Sequence, residues 1–271
     1  MQTPRVTVDR GLVSQAIDAD GVPRRRAVAR CRVLEEDPDL AEGIPPASRA
    51  RALNQCLARS ISIPQGPWTG LNIVSGEGIG LLVLSGRLLR RVGIDARYGA
   101  ELLGEGDLLR PWQGEDEPPT LPMTTGWRVL EPTRMAVLDE AVAKRFAAYP
   151  QLYGRLVGRA LQRSRNLAVN MAIVQHPRVD TRLHMLFWHL AQRWGRVGPE
   201  GITLALALTH SVLADLTAAR RPTVTSALSE LVRQDLIRVL AEGWLLLGDP
   251  PGELLEITSM TANLAPPSER R

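Results

Sequence analysis

The sequence predicts an α+β chain with an N-terminal β domain of jelly-roll type, one long helix and a C-terminal winged helix-turn-helix. Three observations predict this order. Short apolar runs separated by glycines fill residues 64–139, which is typical of antiparallel strands. A helical pattern follows over residues 140–175. Two short helices around a tight turn, and then a hairpin, occupy residues 208–247, and this combination is a winged helix.

Composition sets the broad class of the protein. A chain of 271 residues has room for two domains, and a hydrophobic fraction of 44% supplies ordinary cores. The net charge of +4 is compatible with nucleic acid, whereas an aromatic content of 4% argues against a stacking surface for single strands. No apolar run is long enough to span a bilayer, and the N-terminus lacks a signal-peptide hydrophobic region. We therefore expect a cytoplasmic protein with no membrane partner.

The N-terminal part divides into a lead-in and the β domain. Residues 1–26 are polar and without periodicity, so we expect a flexible lead-in. The arginines at 24–26 are typical of a solvated surface. The alternative is that they form an arm that binds DNA or a partner. The β domain, with N-terminal helices, is predicted over residues 27–145. Ser85 and Gly86 are interpreted as a turn. Strands are expected at residues 61–63, 78–84, 87–92, 101–109, 127–130 and 134–138.

The long helix is predicted to break at Pro150, and residues 146–176 are predicted to be a dimerisation helix. Its first apolar strip has the 4-3-4-3 spacing of a coiled-coil seam: Val157, Leu161, Ser164, Ala168 and Met171. A second strip is able to pack on the β domain: Leu152, Leu156, Leu167 and Val174. A seam needs a partner, and a parallel homodimer is the simplest one. The alternative is a helix inside the chain's own core.

The winged helix-turn-helix is predicted over residues 177–250, followed by a tail at 251–271. Its first short helix begins at Thr209, whose hydroxyl suits the N-cap. The second begins at about residues 220–222, where Pro222 is tolerated in the first turn. Arg221 lies at that exposed start, and an arginine there is able to bond guanine O6 and N7 in the major groove. The inward-facing residues are Val224, Ala227, Leu228 and Leu231.

These residues resemble the Crp/Fnr transcription regulators. The helix-turn-helix pattern of that family aligns with residues 208–237 without a gap, and the segments LLVLSGRLLRRV, GEGDLL and AVLD are similar to its cyclic-nucleotide-binding-like β-roll. The resemblance implies a homodimeric, sequence-specific DNA-binding transcription regulator. Its implied partners are duplex DNA with a palindromic site and RNA polymerase.

The resemblance also implies a set of DNA-binding residues: Thr209, His210, Ser211, Arg220, Arg221, Thr223, Thr225 and Ser226. Arg221 matches a base-reading position, and His210 and Thr223 match phosphate-contacting positions. Two base-reading positions differ, because Pro222 replaces an acidic residue and Ser226 replaces an arginine. We therefore expect a DNA sequence that differs from the best-known half-site of the family.

The turn between the two short helices is a further difference. Ala218 stands where the family usually has glycine. A positive φ at this position would make the alanine cost on the order of 1 kcal/mol.

The expected effector pocket differs from that of the relatives that bind cyclic nucleotides. Those relatives hold ribose and phosphate with a Gly-Glu pair and a downstream arginine, whereas Arg110 and Pro111 stand in place of the pair. The adenine-contacting hydroxyls align with Leu167 and Ala168, whose side chains cannot bond a base. We expect Arg110, Leu167 and Ala168 at the pocket, no cofactor and no cyclic AMP. A different ligand, or a constitutive regulator with an empty β-roll, stays open.

Catalysis and metal binding are not predicted. The glycines at 76–80 open a strand rather than a helix, so they do not form a phosphate loop. Cys31 and Cys56 cannot hold the four-cysteine cluster of oxygen-sensing relatives. His184 and His189 are five residues apart and point to different sides of a helix. The alternative from another class is a ligand-binding or interaction protein whose winged helix contacts protein.

Overall fold

The computed structural model describes residues 29–69, 78–94, 97–112 and 123–252. The predicted lead-in, residues 113–122 and the tail beyond residue 252 lie outside the described residues. In chain order the described elements are β1 (Arg30–Arg32), α1 (Val33–Glu36), α2 (Pro38–Ala41), α3 (Pro46–Gln55), β2 (Leu57–Ile63), β3 (Gly66–Trp68), β4 (Gly80–Ile94), β5 (Arg97–Leu103), β6 (Leu108–Leu109), β7 (Thr124–Leu138), α4 (Glu140–Phe146), α5 (Pro150–Gln175), α6 (Val179–Trp194), β8 (Gly195–Gly198), β9 (Gly201–Leu204), α7 (His210–Leu216), α8 (Arg221–Arg233), β10 (Ile237–Leu240) and β11 (Gly243–Leu246).

The β-roll is an antiparallel sheet in the order β1-β2-β7-β4-β5, with β3 on β7 and β6 on β4. The predicted strand pairs at 78–92 and 127–138 are wrong, because each is one strand of 15 residues. These two strands, β4 and β7, pair from Gly80↔Leu138 to Gly93↔Thr124. Irregularities near Ser85 bend β4, and Gly86 has a φ of 88°. A Cβ on Gly86 would lie 2.4 Å from the carbonyl oxygen of Pro132, so the glycine permits a bulge instead of a turn.

Short helices and α5 cover one side of the β-roll. Their buried side chains form one core with Ala136 and Leu138 of β7: Leu34, Leu40, Ile44, Phe146, Leu152 and Leu156. The predicted break at Pro150 is confirmed, because Pro150 is the first residue of α5. Cys31 and Cys56 are buried in the same core. Burial raises the pKa of Cys56 to about 11 and also raises that of Cys31, so both remain thiols at neutral pH.

The C-terminal unit packs α6, α7 and α8 on a sheet in the order β10-β11-β9-β8. Gly195 ends α6 and begins β8, a strand that the sequence did not predict and that pairs with β9. A four-residue strand with a glycine at each end carries no periodic signal. Three side chains of the β-roll, Leu89, Ala100 and Leu102, belong to the same apolar core as this unit.

Helix α5 has two opposite faces. Leu152 and Leu156 on one face are buried against the β-roll, whereas the side chains of the predicted seam are exposed. The exposed fraction is 57% for Val157, 57% for Leu161 and 68% for Met171. The alternative that this strip is part of the chain's own core is therefore wrong.

Candidate functional site

The predicted helix-turn-helix is present, with its cap and its buried side. The N–H of Val212 donates to the Thr209 hydroxyl at 3.3 Å, so the predicted cap of α7 is confirmed. Leu213 and Leu216 of α7 are buried. On α8, the four residues predicted to face inward are also buried, and Pro222 is the second residue of the helix.

The turn between these helices is the strained part of the motif. Ala218 has a φ of 51°. The turn therefore has the positive φ at which an alanine costs on the order of 1 kcal/mol. Its neighbour Thr217 is fully buried and donates its hydroxyl to the Leu213 carbonyl at 2.7 Å. An alanine is thus held in the left-handed region by the burial of the residue before it.

The outer face of α8 carries hydroxyl groups that are bonded to their own helix. Thr225 donates to the Arg221 carbonyl at 3.1 Å, Ser226 to Pro222 at 3.3 Å, and Ser229 to Thr225 at 3.1 Å. Their protons are therefore used, while their oxygens can still accept. His210 Nδ1 lies 2.9 Å from the Thr225 hydroxyl oxygen. Since that hydroxyl donates elsewhere, the imidazole is the donor, and the start of α7 is bonded to the outer face of α8.

Two cations remain available on this face. Arg220 and Arg221 are exposed, and within the described part of the chain neither guanidinium has a hydrogen bond or an ion pair. The other predicted DNA-binding residues, Thr209, Ser211, Thr223, Thr225 and Ser226, are also exposed, and His210 is half-buried. The predicted set is therefore accessible, His210 and Thr225 join its two helices, and the positive charge at the start of α8 has no described partner.

Sequence comparison identifies the domain that carries this surface. Residues 181–252 match the family described as the Crp-like helix-turn-helix domain. The C-terminal unit is a Crp-like helix-turn-helix domain. It contains α6, both helices of the motif and the β10–β11 hairpin. No curated protein matches the chain in sequence.

Solved structures extend the likeness to the whole fold. A CooA variant from Carboxydothermus hydrogenoformans has a TM-score of 0.55 at 18% identity, over 74% of this chain and 88% of that one. FixK2 from Bradyrhizobium japonicum has a TM-score of 0.51 at 15% identity, over 78% and 99%. CLP from Xanthomonas campestris, titled a c-di-GMP responsive global regulator, has 0.51 at 14%, over 76% and 100%. The resemblance to Crp/Fnr regulators is confirmed for the Crp-like domain and for the fold.

A second candidate site is a cavity of about 660 Å³ between the β-roll, α5 and α6. Of the three predicted pocket residues, Leu167 lines it. Ala168 is exposed within the seam of α5, and Arg110 is exposed beyond β6, so neither is part of the cavity wall. The predicted pocket is thus corrected to a wall built mainly by other residues, among them Glu101, Asp107, Arg159, Arg163, His189 and Arg193.

The arginines of this wall are paired with carboxylates. Arg163 Nε lies 2.6 Å from Glu101, and Arg193 Nη1 lies 2.9 Å from Asp107. Arg159 makes a two-pronged contact with Asp37. These are all the arginines among the described lining residues, against six carboxylates. Burial lowers the pKa of His189, which favours a neutral imidazole in the wall.

Metal binding and membrane insertion find no support among the described residues. No group of three or more His, Cys, Asp or Glu side chains there is able to hold a metal ion. None of the described helices combines the length and apolar character needed to cross a membrane.

Replacing Ala218 by glycine should raise the free energy of unfolding by on the order of 1 kcal/mol, because glycine tolerates positive φ. Urea unfolding followed by circular dichroism measures the effect. Ala219→Gly is the matched control and should not stabilise, since Ala219 has no positive φ. Equal responses at the two positions would contradict strain at Ala218.

Proposed function

We propose that the protein is a homodimeric, cytoplasmic, sequence-specific transcription regulator of Crp/Fnr type that binds a palindromic site in duplex DNA. The observation that carries this proposal is the pair Arg220 and Arg221 at the start of α8. Both side chains are exposed, and no described side chain neutralises them. DNA phosphates and guanine edges are the partners that such a cationic start of a recognition helix fits.

The details of this face support direct base reading by few residues. Arg221 supplies a planar fork of donors suited to guanine. Pro222 has no side-chain donor or acceptor, and the hydroxyl protons of Thr225 and Ser226 are bonded to the helix. The base preference of each half-site therefore rests chiefly on Arg221.

The seam of α5 supports the homodimer. Its large apolar side chains, Val157, Leu161 and Met171, are more than half exposed in the single chain. Each is worth on the order of 1.5–3 kcal/mol when buried. Gly154 and Gly158 stand nearby with open space around their Cβ positions, so a second helix can approach closely. A second copy of the chain is the partner proposed for this seam, because a symmetric dimer also presents two recognition helices to the two halves of a palindromic DNA site.

The cavity supports an effector other than a cyclic nucleotide. A phosphate needs an uncommitted cation or convergent N–H donors. The arginines of the described wall are each paired with a carboxylate, and carboxylates outnumber them two to one. The cavity therefore repels a phosphate and fits an uncharged or cationic ligand better. A constitutive regulator whose cavity stays empty is the second candidate.

Replacing Arg221 by alanine should weaken binding at a specific site by about 1–3 kcal/mol and relax one base position. The site is first selected from a random duplex pool, and affinities are measured by fluorescence anisotropy at several salt concentrations. Arg233→Ala is the control, because it removes an exposed arginine from the far end of the same helix. Binding that neither favours a sequence nor weakens with salt would contradict DNA recognition.

Replacing Leu161 by glutamate should convert the dimer to a monomer, because a charge would be buried in the seam. Sedimentation velocity measures the assembly. Gln151→Glu adds the same charge to an exposed position of α5 outside the seam and should leave the dimer intact. A dimer that survives Leu161→Glu would place the interface elsewhere.

Cyclic AMP should leave the affinity for the selected duplex unchanged up to millimolar concentration, since the cavity offers no unpaired arginine. The same anisotropy titration measures this. A change in affinity would contradict the charge argument for the cavity while leaving DNA recognition intact.

A further inference from the structure

We infer that the cavity between the β-roll, α5 and α6 binds an organic ammonium ion with an apolar body, and that Asn170 and His189 accept hydrogen bonds from its N–H groups. The inference rests on the proposed function, which already favours an uncharged or cationic ligand in this cavity, and it names the chemical class of that ligand. The cavity volume of about 660 Å³ lies in the range of small-molecule sites.

The cavity lies outside the β-roll. Side chains of the β-roll alone form a separate buried core inside it, among them Trp112 and Met135. The cavity instead borders α6, which contributes Leu186, His189 and Leu190 to its wall. The site is therefore built on a helix of the Crp-like domain as well as on the β-roll and α5.

One acceptor in the cavity wall has no donor. Asn170 donates its Nδ2 to the Ala100 carbonyl at 3.3 Å, whereas its Oδ1 is buried and has no hydrogen bond to any described residue. The Ala100 carbonyl sets this orientation of the amide, because the reverse orientation would bring two oxygens together. A buried acceptor without a donor is unfavourable, and an N–H group of a ligand in the cavity would satisfy it.

His189 provides a second acceptor close to the first. Burial lowers the pKa of His189 and outweighs the hydrogen bond to the Asn166 backbone, which raises it. A bond that favours the protonated ring is one in which the ring donates, so the Asn166 carbonyl holds one ring N–H. The other nitrogen of the neutral ring is then an acceptor. Since Asn166 and Asn170 are one helical turn apart on α5, both acceptors lie on the same face of that helix.

The charge of the wall selects a cation. The described wall contains three arginines, each paired with a carboxylate, and six carboxylates in all. At the rim, Asp39 is 79% exposed and lies 4.0 Å from Arg159, and the exposed Glu105 carboxylate has no described partner. This excess of negative charge attracts a cation to the cavity and opposes an anion. The two acceptors offset the desolvation of an ammonium group inside it.

The remainder of the wall suits an apolar body. Leucines from all three walls line the cavity: Leu102 of β5, Leu167 of α5, and Leu186 and Leu190 of α6. An alkyl or aryl group against these leucines would be removed from water. The fitting ligand therefore carries its charge at one end and an apolar group at the other.

The test is isothermal titration calorimetry on the full chain without DNA. The probes are phenethylammonium and hexylammonium, and the comparison compounds are phenethyl alcohol, which lacks the charge, and hydrocinnamate, which reverses it. Phenethylammonium should bind at least about tenfold more tightly than phenethyl alcohol, and hydrocinnamate should not bind at millimolar concentration. The inference is overturned if neither ammonium probe binds, or if ammonium and alcohol bind equally.

Two variants assign the binding to this cavity. Asn170→Leu should weaken phenethylammonium by on the order of tenfold. Asn54→Leu is the matched control, because Asn54 also donates to a backbone carbonyl but lies on α3. Glu105→Lys should weaken phenethylammonium severalfold and relieve the discrimination against hydrocinnamate, whereas Glu242→Lys, at the β10–β11 turn, should do neither.

The outcome is decisive even if one variant does not fold. Circular dichroism reports the fold of each variant, and Glu105 is exposed, so its replacement leaves the packing intact. Affinity equal to that of the wild type in any folded variant of the cavity overturns the assigned site. A chain that binds the ammonium probe but selects no duplex overturns the proposed DNA recognition alone. A chain that selects a duplex but binds neither ammonium probe overturns this inference alone.

Discussion

The two-faced character of α5 is the constraint on which the rest of the structure depends. A helix of 26 residues presents positions three and four apart on one side, and here that side carries Leu152, Leu156 and two arginines. Arg159 and Arg163 are paired with Asp37 and Glu101, which join the N-terminal segment and β5 to the helix. Once these contacts are made, the opposite side must face outward, and it is the side with the coiled-coil spacing.

The ion pairs along α5 serve placement more than stability. The side chains of Glu101 and Asp37 are about one-tenth exposed, so desolvation offsets much of the attraction to their arginines. These ion pairs fix the position of α5 relative to its partners, because a guanidinium and a carboxylate bond best in a planar two-pronged contact. Any occupant of the cavity would touch these pairs from between the β-roll, α5 and α6. The same pairs line the cavity with charged groups that are already bonded to each other.

The recognition helix has little hydrogen-bonding capacity left for bases apart from its arginines. Thr225, Ser226 and Ser229 each donate the hydroxyl proton to a carbonyl four residues earlier, and the side chain of Pro222 has no polar atom. His210 adds a link between the two helices of the motif at the surface where DNA would lie.

The sequence by itself determined the features that depend on neighbouring residues. These are the cap at Thr209, the buried side of α8, the break at Pro150 and the apolar spacing of the seam, all set by local backbone preferences and helical spacing. Only the tertiary structure decided that β4 and β7 are long bulged strands, because their pairing joins residues far apart in the chain. It also decided where the cavity lies and which carboxylates its arginines meet: Arg163 and Glu101 are 62 residues apart, and no periodicity relates them. The contact between α7 and β5 was also decided only by the tertiary structure, because packing between distant segments leaves no periodic pattern in either segment.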